Sequence, residues 1–307
     1  MKVVVTGGLG FIGSHLVDRL ISEGYDTYII DNLTSGQLNN LNPAATFYQA
    51  DILNESQLRK IFNDVKPEAL FHMAAQIDVQ TSINNPNLDA MCNIIGSLNL
   101  IELCKTYNCK IIYSSSAAIY GSPQYVPVTE EHPINPISNY GISKYTPELY
   151  IQTSANLHNL NFNILRYANV YGNRQVNNGE GGVISIFIDK IINGERPIIF
   201  GDGTQTRDFI FVEDVVSANI AALKCSANGT FNISTNKKTT INDLIHHLNS
   251  ILDKKVVPIY EPIRKGDITH STLDNQLAIK ELNWNPKFLI KEGLIKTCDN
   301  FLNNMSY

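Results

Sequence analysis

The sequence predicts an α/β fold: a doubly wound parallel sheet with a smaller, interleaved mixed α/β part. Three observations carry this. The chain opens on a β-branched run, Met1-Lys2-Val3-Val4-Val5-Thr6, which breaks into Gly7-Gly8-Leu9-Gly10-Phe11-Ile12-Gly13 and then into apolar positions of helical period. Strand-like and helix-length segments go on alternating through Tyr167 without repeats or low-complexity stretches, and helix-length crossovers imply parallel strands covered on both faces. The segments with chemical character fall at the carboxyl ends of those strands, where open α/β sheets bind ligands.

The first unit, strand then glycine-rich turn then helix, is the dinucleotide-binding fingerprint of the Rossmann sheet. Gly7 permits the tight turn, Gly10 lets a pyrophosphate approach the backbone, and Gly13 packs helix against strand. The N-terminus of the helix that follows, read from Ser14, offers N–H groups to the phosphates. A second strand, Tyr25 to Ile30, ends in Asp31, positioned to bond a ribose hydroxyl and to repel a 2′-phosphate, so NAD is favoured over NADP. Thr46–Ala50 reads as a strand leading to Asp51-Ile52, and a helix from about Asn54 to Asp64 follows. Ala69–Met73 is a strand ending in Ala74-Ala75. A long helix from about Leu88 to Tyr107 precedes the strand Lys110–Tyr113, which three serines follow. A helix carrying Tyr140 and Lys144 then leads to the strand Phe162–Tyr167. Beyond Tyr171 the stretch Gly172–Gly182 is polar and glycine-rich, a substrate-side loop. Asp208–Leu223 is expected to return a strand and helix to the first part. The domain boundaries are therefore placed at 1–171 for dinucleotide binding, with 206–235 returning to it, and 172–307 for substrate.

Composition excludes several functions. The 307 residues are 43% hydrophobic and 17% charged, as in a soluble globular protein. A formal charge of −5 argues against nucleic-acid and anionic-membrane partners. No apolar run is long enough to span a bilayer, and the N-terminus enters a strand directly, without a signal peptide. Five scattered cysteines, Cys92, Cys104, Cys109, Cys225 and Cys298, read as reduced thiols in a cytoplasmic protein, not as a disulfide framework or a metal site.

Tyr140-Gly141-Ile142-Ser143-Lys144 places a tyrosine and a lysine four apart, on one face of a helix. A free tyrosine, with a pKa of about 10, is a poor base at neutral pH. A neighbouring ammonium favours the phenolate and would bring it into acid–base range. Ser114-Ser115-Ser116, one loop upstream, can supply a hydroxyl that orients a substrate oxygen facing the tyrosine. No Gly-x-Ser-x-Gly elbow is present, which argues against a hydrolase.

Taken together, Thr6–Gly13, Asp31-Asn32, Asp51-Ile52, Asn93–Gly96, Ser114–Ser116, Tyr140–Lys144, Leu165–Gly172, Gln205–Phe209 and Arg264–Asp267 resemble an extended short-chain dehydrogenase/reductase. Within that group they resemble the UDP-glucose 4-epimerase type of the NAD-dependent epimerase/dehydratase family, over essentially the whole length. The resemblance implies a catalytic set of Ser116, Tyr140 and Lys144, the lysine holding the nicotinamide ribose while lowering the tyrosine pKa. It also implies NAD contacts from Gly7, Gly10, Phe11, Ile12, Gly13, Asp31, Asn32, Asp51, Ile52, Ala74, Ala75 and Asn93. Asn169, Arg207 and Arg264 would hold a nucleotide diphosphate, and Asp267 would lie near the uridine ribose. The implied reaction interconverts UDP-glucose and UDP-galactose by transient oxidation at C4 of the sugar, with NAD regenerated in each cycle, in a homodimer formed by the helices Leu88–Tyr107 and Tyr140–His158.

Four positions depart from the family pattern. Ser271 stands where some members carry a bulky tyrosine, so room is expected for an N-acetyl group and for UDP-N-acetylhexosamines. Phe209 replaces a frequent tyrosine, and Asn173 a frequent proline. Pro147, three residues past Lys144, cannot donate to the Ser143 carbonyl and is expected to kink or widen the helix on the far side of the active face. His270, beside Ser271, is a candidate for the sugar pocket. His246 and His247 face different ways on a helix, and the other histidines are read as structural. Rival readings are a uronate 4-epimerase, a 4,6-dehydratase or decarboxylase, and a non-catalytic dinucleotide-binding regulator. Ala117, where dehydratases place an acid, disfavours the dehydratase.

Overall fold

Val3, Val4 and Val5 are all wholly buried, as a strand covered on both faces requires. Val3 and Val5 enter one hydrophobic cluster and Val4 the other, the period-two alternation of a pleated strand. The computed structural model describes residues 1–175, 182–263 and 268–305. In chain order the first part comprises β1 (Lys2–Thr6), α1 (Phe11–Ser22), β2 (Asp26–Asp31), β3 (Thr46–Gln49), α2 (Glu55–Val65), β4 (Ala69–His72), α3 (Val79–Asn84), α4 (Pro86–Ala90), α5 (Gly96–Tyr107), β5 (Lys110–Ser116), α6 (Asn139–His158), β6 (Phe162–Tyr167) and β7 (Asn169–Tyr171). The remainder comprises α7 (Val183–Ile192), β8 (Ile198–Phe200), β9 (Thr206–Arg207), β10 (Phe209–Phe211), α8 (Val212–Lys224), β11 (Gly229–Ile233), β12 (Thr239–Thr240), α9 (Ile241–Ile251), β13 (Ile259–Glu261), α10 (Gln276–Leu282) and α11 (Ile290–Met305).

Seven strands make the central sheet in the order β11-β6-β5-β4-β1-β2-β3, every pair parallel. From β1 the chain moves outward to β2 and β3, then crosses back to β4 on the other side. The strand order therefore reverses between β1 and β4, and a ligand crevice opens at their carboxyl ends. One face is covered by α1 and α8, with Trp284 buried in the same cluster; the other is covered by α2, α5 and α6. A third core joins α7, α9, α11 and β10.

Four expectations change. The segment Leu88–Tyr107 is not one regular helix: α4 and α5 are joined by a widened π-type turn over Met91–Ile95. No such widening occurs at Pro147, which is buried in a continuous α6. There Glu148 and Ile151 pack into the protein and hold the helix against the proline's preference. The three serines do not follow β5 but form its last turn-ward residues, Ser114–Ser116, paired with Leu165–Tyr167 of β6. Finally, Phe209–Phe211 does not return to the sheet. It pairs with β7, burying Ile210 in the first core and Phe209 and Phe211 in the third. The elements that do return are α8 and the edge strand β11.

Candidate active site

The glycine turn sits at the crevice. Thr6 closes β1, its hydroxyl 2.9 Å from His72 Nδ1 and accepting from the Ala74 N–H. Gly7 has φ +67°, and a Cβ there would lie 2.8 Å from the Ala74 nitrogen. A Cβ on Gly13 would stand 2.1 Å from the Gly7 carbonyl oxygen, so helix and turn can touch only through a glycine. Gly10 differs: its Cβ would meet nothing but the Gly7 oxygen at 3.2 Å, leaving space above the backbone. As the N-cap of α1, Gly10 brings no side-chain acceptor, and the first turn carries no acid. The Phe11 and Ile12 end of the helix is thus an uncapped, positive dipole end suited to a pyrophosphate.

Asp31, at the tip of β2 and nearly buried, accepts from the Leu9 N–H (3.0 Å) and the Leu33 N–H (2.9 Å). Asn32 Nδ2 donates to Asp51 Oδ2 at 2.8 Å, tying the ends of β2 and β3 together beside a cleft lined by Asp51, Leu53, Asn54 and Arg59. Ile52 is buried below, pressed so closely on α5 that a Cβ at Gly96 would come within 2.5 Å of its Cδ1. Ala74 and Ala75 continue β4 at the crevice, and Asn93 Oδ1 accepts from the Gln76 N–H at 2.8 Å. This donor set, an uncapped helix end, a fixed carboxylate and a small-residue wall, fits a dinucleotide.

Across the crevice, α6 begins at Ser138, whose hydroxyl accepts from the Gly141 N–H (3.1 Å). The Tyr140 N–H donates to the buried Ser82 Oγ (3.1 Å), and Asn139 Nδ2 donates to the Ser82 carbonyl (2.8 Å), fastening the helix start to α3. Gly141 allows the approach that matters: a Cβ there would lie 2.7 Å from the Ala118 carbonyl oxygen. That approach brings the start of α6 against the segment that follows Ser116, whose hydroxyl acts to lower the Tyr140 pKa. Burial has the larger effect and holds Tyr140 above the ordinary phenol range, with the Asp89 carboxylate acting in the same direction. The lowering anticipated from Lys144 is thus not what the protein alone displays. Lys144 is itself buried, its Nζ 4.7 Å from the centre of the Tyr113 ring. Burial brings its pKa down to about 8, against the raising influence of Glu148 and Asp89. His72, enclosed beneath, is pushed down to about 3 by burial and by Lys144, and stays neutral.

The substrate-side residues are partly described. Asn169 opens β7, its N–H donating to the Asp208 carbonyl (2.9 Å). Arg207 lies in β9, with Nη1 bonded to the Thr206 carbonyl (2.9 Å). The Ser271 N–H donates to that same carbonyl (3.2 Å), and Thr206 Oγ1 lies 3.0 Å from His270 Nδ1. Arg207, His270 and Ser271 are therefore gathered around one residue, Thr206, and β7 is joined to them through Asp208. Arg264 and Asp267 lie outside the described residues. Phe209 is buried in the third core, and Asn173 meets His15 through its carbonyl (2.9 Å), so neither departure opens the site.

A dinucleotide turn on one side of a Rossmann crevice and a tyrosine–lysine helix on the other define an extended short-chain dehydrogenase/reductase. The chain belongs to the NAD dependent epimerase/dehydratase family, which matches residues 3–234, and NAD is its cofactor. It is 47% identical over 305 residues to a putative UDP-glucose 4-epimerase of Methanocaldococcus jannaschii, covering 98% of both chains. Among solved structures it is similar to the UDP-glucose 4-epimerase of Thermotoga maritima with UDP-glucose (TM-score 0.97, 45% identity, 99% and 100% of the two chains covered). It is also similar to a UDP-N-acetylglucosamine 4-epimerase of Methanobrevibacter ruminantium in complex with UDP-N-acetylmuramic acid (TM-score 0.94, 38% identity, 99% of each chain covered).

Two buried polar clusters escaped sequence reasoning. One surrounds Asp89. The other centres on Glu148, wholly buried, which forms a bidentate pair with Arg166 (2.6 Å for Nη2 to Oε2) and accepts from the Ser115 hydroxyl. Arg166 Nη1 continues to the Tyr120 hydroxyl (2.8 Å), which donates to Asn232 Oδ1 (2.8 Å). The available signal was spacing: Tyr140, Lys144 and Glu148 follow one another at intervals of four on α6. Glu148→Ala would leave a buried guanidinium uncompensated, and is expected to cost about 3–5 kcal/mol in denaturant unfolding. Replacing both partners by apolar residues of similar volume should recover most of that loss. An unfolding midpoint unchanged in the single variant would contradict the assignment.

Proposed function

We infer that this nucleotide-sugar 4-epimerase interconverts UDP-glucose and UDP-galactose, and also UDP-N-acetylglucosamine and UDP-N-acetylgalactosamine. The observation that carries the chemistry is Tyr140 one helical turn from buried Lys144 on α6, with Ser116 at the tip of β5 acting on the tyrosine hydroxyl. NAD, when bound, would supply the acceptor and donor for the sugar C4 hydride. Tyr140 removes the C4 hydroxyl proton as the carbonyl forms and later returns it. Ser116 Oγ donates to the same oxygen and fixes its position, while Lys144 as an ammonium makes the phenolate accessible. Inversion needs the 4-keto sugar to present its other face, so the chain must hold the diphosphate firmly and the hexose loosely. Arg207, with Arg264, is suited to the first task. The UDP-glucose bound by the Thermotoga relative supports the hexose reading.

The N-acetyl branch is supported by Ser271, a small side chain next to His270 on the segment bridged to the Arg207 strand, and by the N-acetylated sugar nucleotide held by the Methanobrevibacter relative. All five cysteines are free, which supports a reducing, cytoplasmic compartment. No helix among the described residues is long and apolar enough to cross a membrane. Exposed Leu88 on α4, Met91 and Ile95 on the widened turn, and Ile142, Leu149, Tyr150 and Leu157 on α6 support a homodimer formed over these segments.

Purified protein given a panel of UDP-sugars without added NAD should interconvert 4-epimers, and Tyr140→Phe should lower kcat by about 10²–10⁴-fold. An unaltered sugar pool, or a rate untouched by Tyr140→Phe, would count against the reading. Ser271→Tyr should abolish turnover of the N-acetyl sugars while sparing the hexoses; a variant that still converts UDP-N-acetylglucosamine disproves the pocket assignment. Light scattering should give twice the chain mass, and Leu149→Lys should halve it; a monomeric parent refutes the dimer.

A further inference from the structure

Asp89 is a carboxylate at the heart of the molecule with no task in the mechanism above. It lies in α4, 1% exposed. Its Oδ1 accepts from Gln76 Nε2 (3.0 Å) and Asn93 Nδ2 (3.1 Å). Asn93 Nδ2 also reaches Ser143 Oγ (2.9 Å), and the Ser143 hydroxyl borders the carboxylate. Ser143 in turn donates to the Tyr140 carbonyl (3.1 Å) and is the residue immediately before Lys144. Every hydrogen-bonding partner of Asp89 is therefore neutral. Among the described residues it enters no ion pair within 4 Å, unlike Glu148, whose charge is matched by Arg166. A buried anion held only by neutral dipoles needs a cation within its field.

The charged and titratable groups around it are few. On α6 they are Tyr140, Lys144 and the already compensated Glu148. Cys92 lies in the widened turn beyond its own helix, and Asp78 caps α3 beside Gln76. From the sheet, neutral His72 and Tyr113 enclose Lys144. Lys144 is the one cation in this set.

We propose that Asp89 is a positioning residue for the Tyr140–Lys144 pair: fixed by Gln76 and Asn93 beside Ser143, its charge holds Lys144 as an ammonium and opposes ionisation of Tyr140. The inference rests on the epimerase reading for its kinetic consequence. The influence on both groups has the required sign, since a nearby anion favours the proton on each: it raises Lys144 against burial, and it raises Tyr140. Removing the charge lets both groups lose their protons at lower pH. Both limbs of the rate profile therefore move in the acid direction.

Asp89→Asn is the test, because the Asn Oδ1 still accepts from Gln76 and Asn93 while its amide faces the Ser143 oxygen. In the NAD-bound enzyme the kcat profile should slide to lower pH. Its rate on the acid side, relative to its own plateau, should exceed the parent's by about two- to tenfold, with KM little changed. Asp89→Glu, which keeps the charge, should leave the profile where it was. Phenolate absorbance, read as the difference from a Tyr140→Phe background, should titrate at lower pH in Asp89→Asn than in the parent. A superimposable profile and phenolate titration, or movement to higher pH, would overturn the proposal. If Asp89→Asn does not fold, Asp89→Ser carries the same test; failure of both to fold assigns Asp89 to the fold and overturns it too. Absence of epimerase activity in the parent would refute the function alone, since the phenolate titration needs no substrate.

Discussion

The pairing of Glu148 with Arg166 is the constraint on which the site depends. It ties a helix, α6, to the strand β6, and through Ser115 to the tip of β5. Two charges removed from water hold one another only in good geometry, and here the geometry is bidentate and extended by Tyr120 and Asn232. Ser116 is the next residue after Ser115, and Tyr140 lies two turns before Glu148 on the same helix face. The distance between the two hydroxyls is thus set by an ion pair that touches neither. The Gly141–Ala118 contact adds the other support, so the serine and tyrosine are located from both sides.

Electrostatically the crevice is layered. Beneath it lies a neutral histidine; at its wall a buried lysine is drawn down by burial and up by two carboxylates; at its mouth stands a tyrosine raised by burial and lowered by the serine. Only one of the two carboxylates is neutralised by an arginine. The protein therefore stores its uncompensated charge next to the residues proposed to move protons, as pKa tuning by environment requires. The acid net charge of the chain does not conflict with an anionic substrate, since the dipole of α1 and, in the proposed reading, Arg207 act locally.

Much of this was legible in sequence, for reasons particular to each residue. Gly7 and Gly13 have no alternative in close-packed backbone, Val3–Val5 can only be a strand buried on both faces, and Tyr140 with Lys144 announces itself by spacing. The failures share a cause. Asp89, Gln76, Asn93 and Ser143 meet only in three dimensions, across two helices, the widened turn and a loop. The widened turn falls at Met91–Ile95, not at the proline, because Pro147 is overruled by its burial, a tertiary effect that local propensity does not contain. Phe209–Phe211 alternates like any sheet strand, and which sheet it joins is decided by the third core that its aromatic rings enter.

The late return of the chain to its sheet has a consequence for synthesis. All six residues of β6 are buried, and its outer neighbour is β11, made more than sixty residues afterwards. Until residue 233 has left the ribosome, the nascent chain carries an apolar edge whose hydrogen-bonding groups are open to any other strand. The dinucleotide part therefore cannot be finished before most of the other part exists. A gene cut at their boundary would not yield two domains but one unsealed sheet, prone to pair with its own copies.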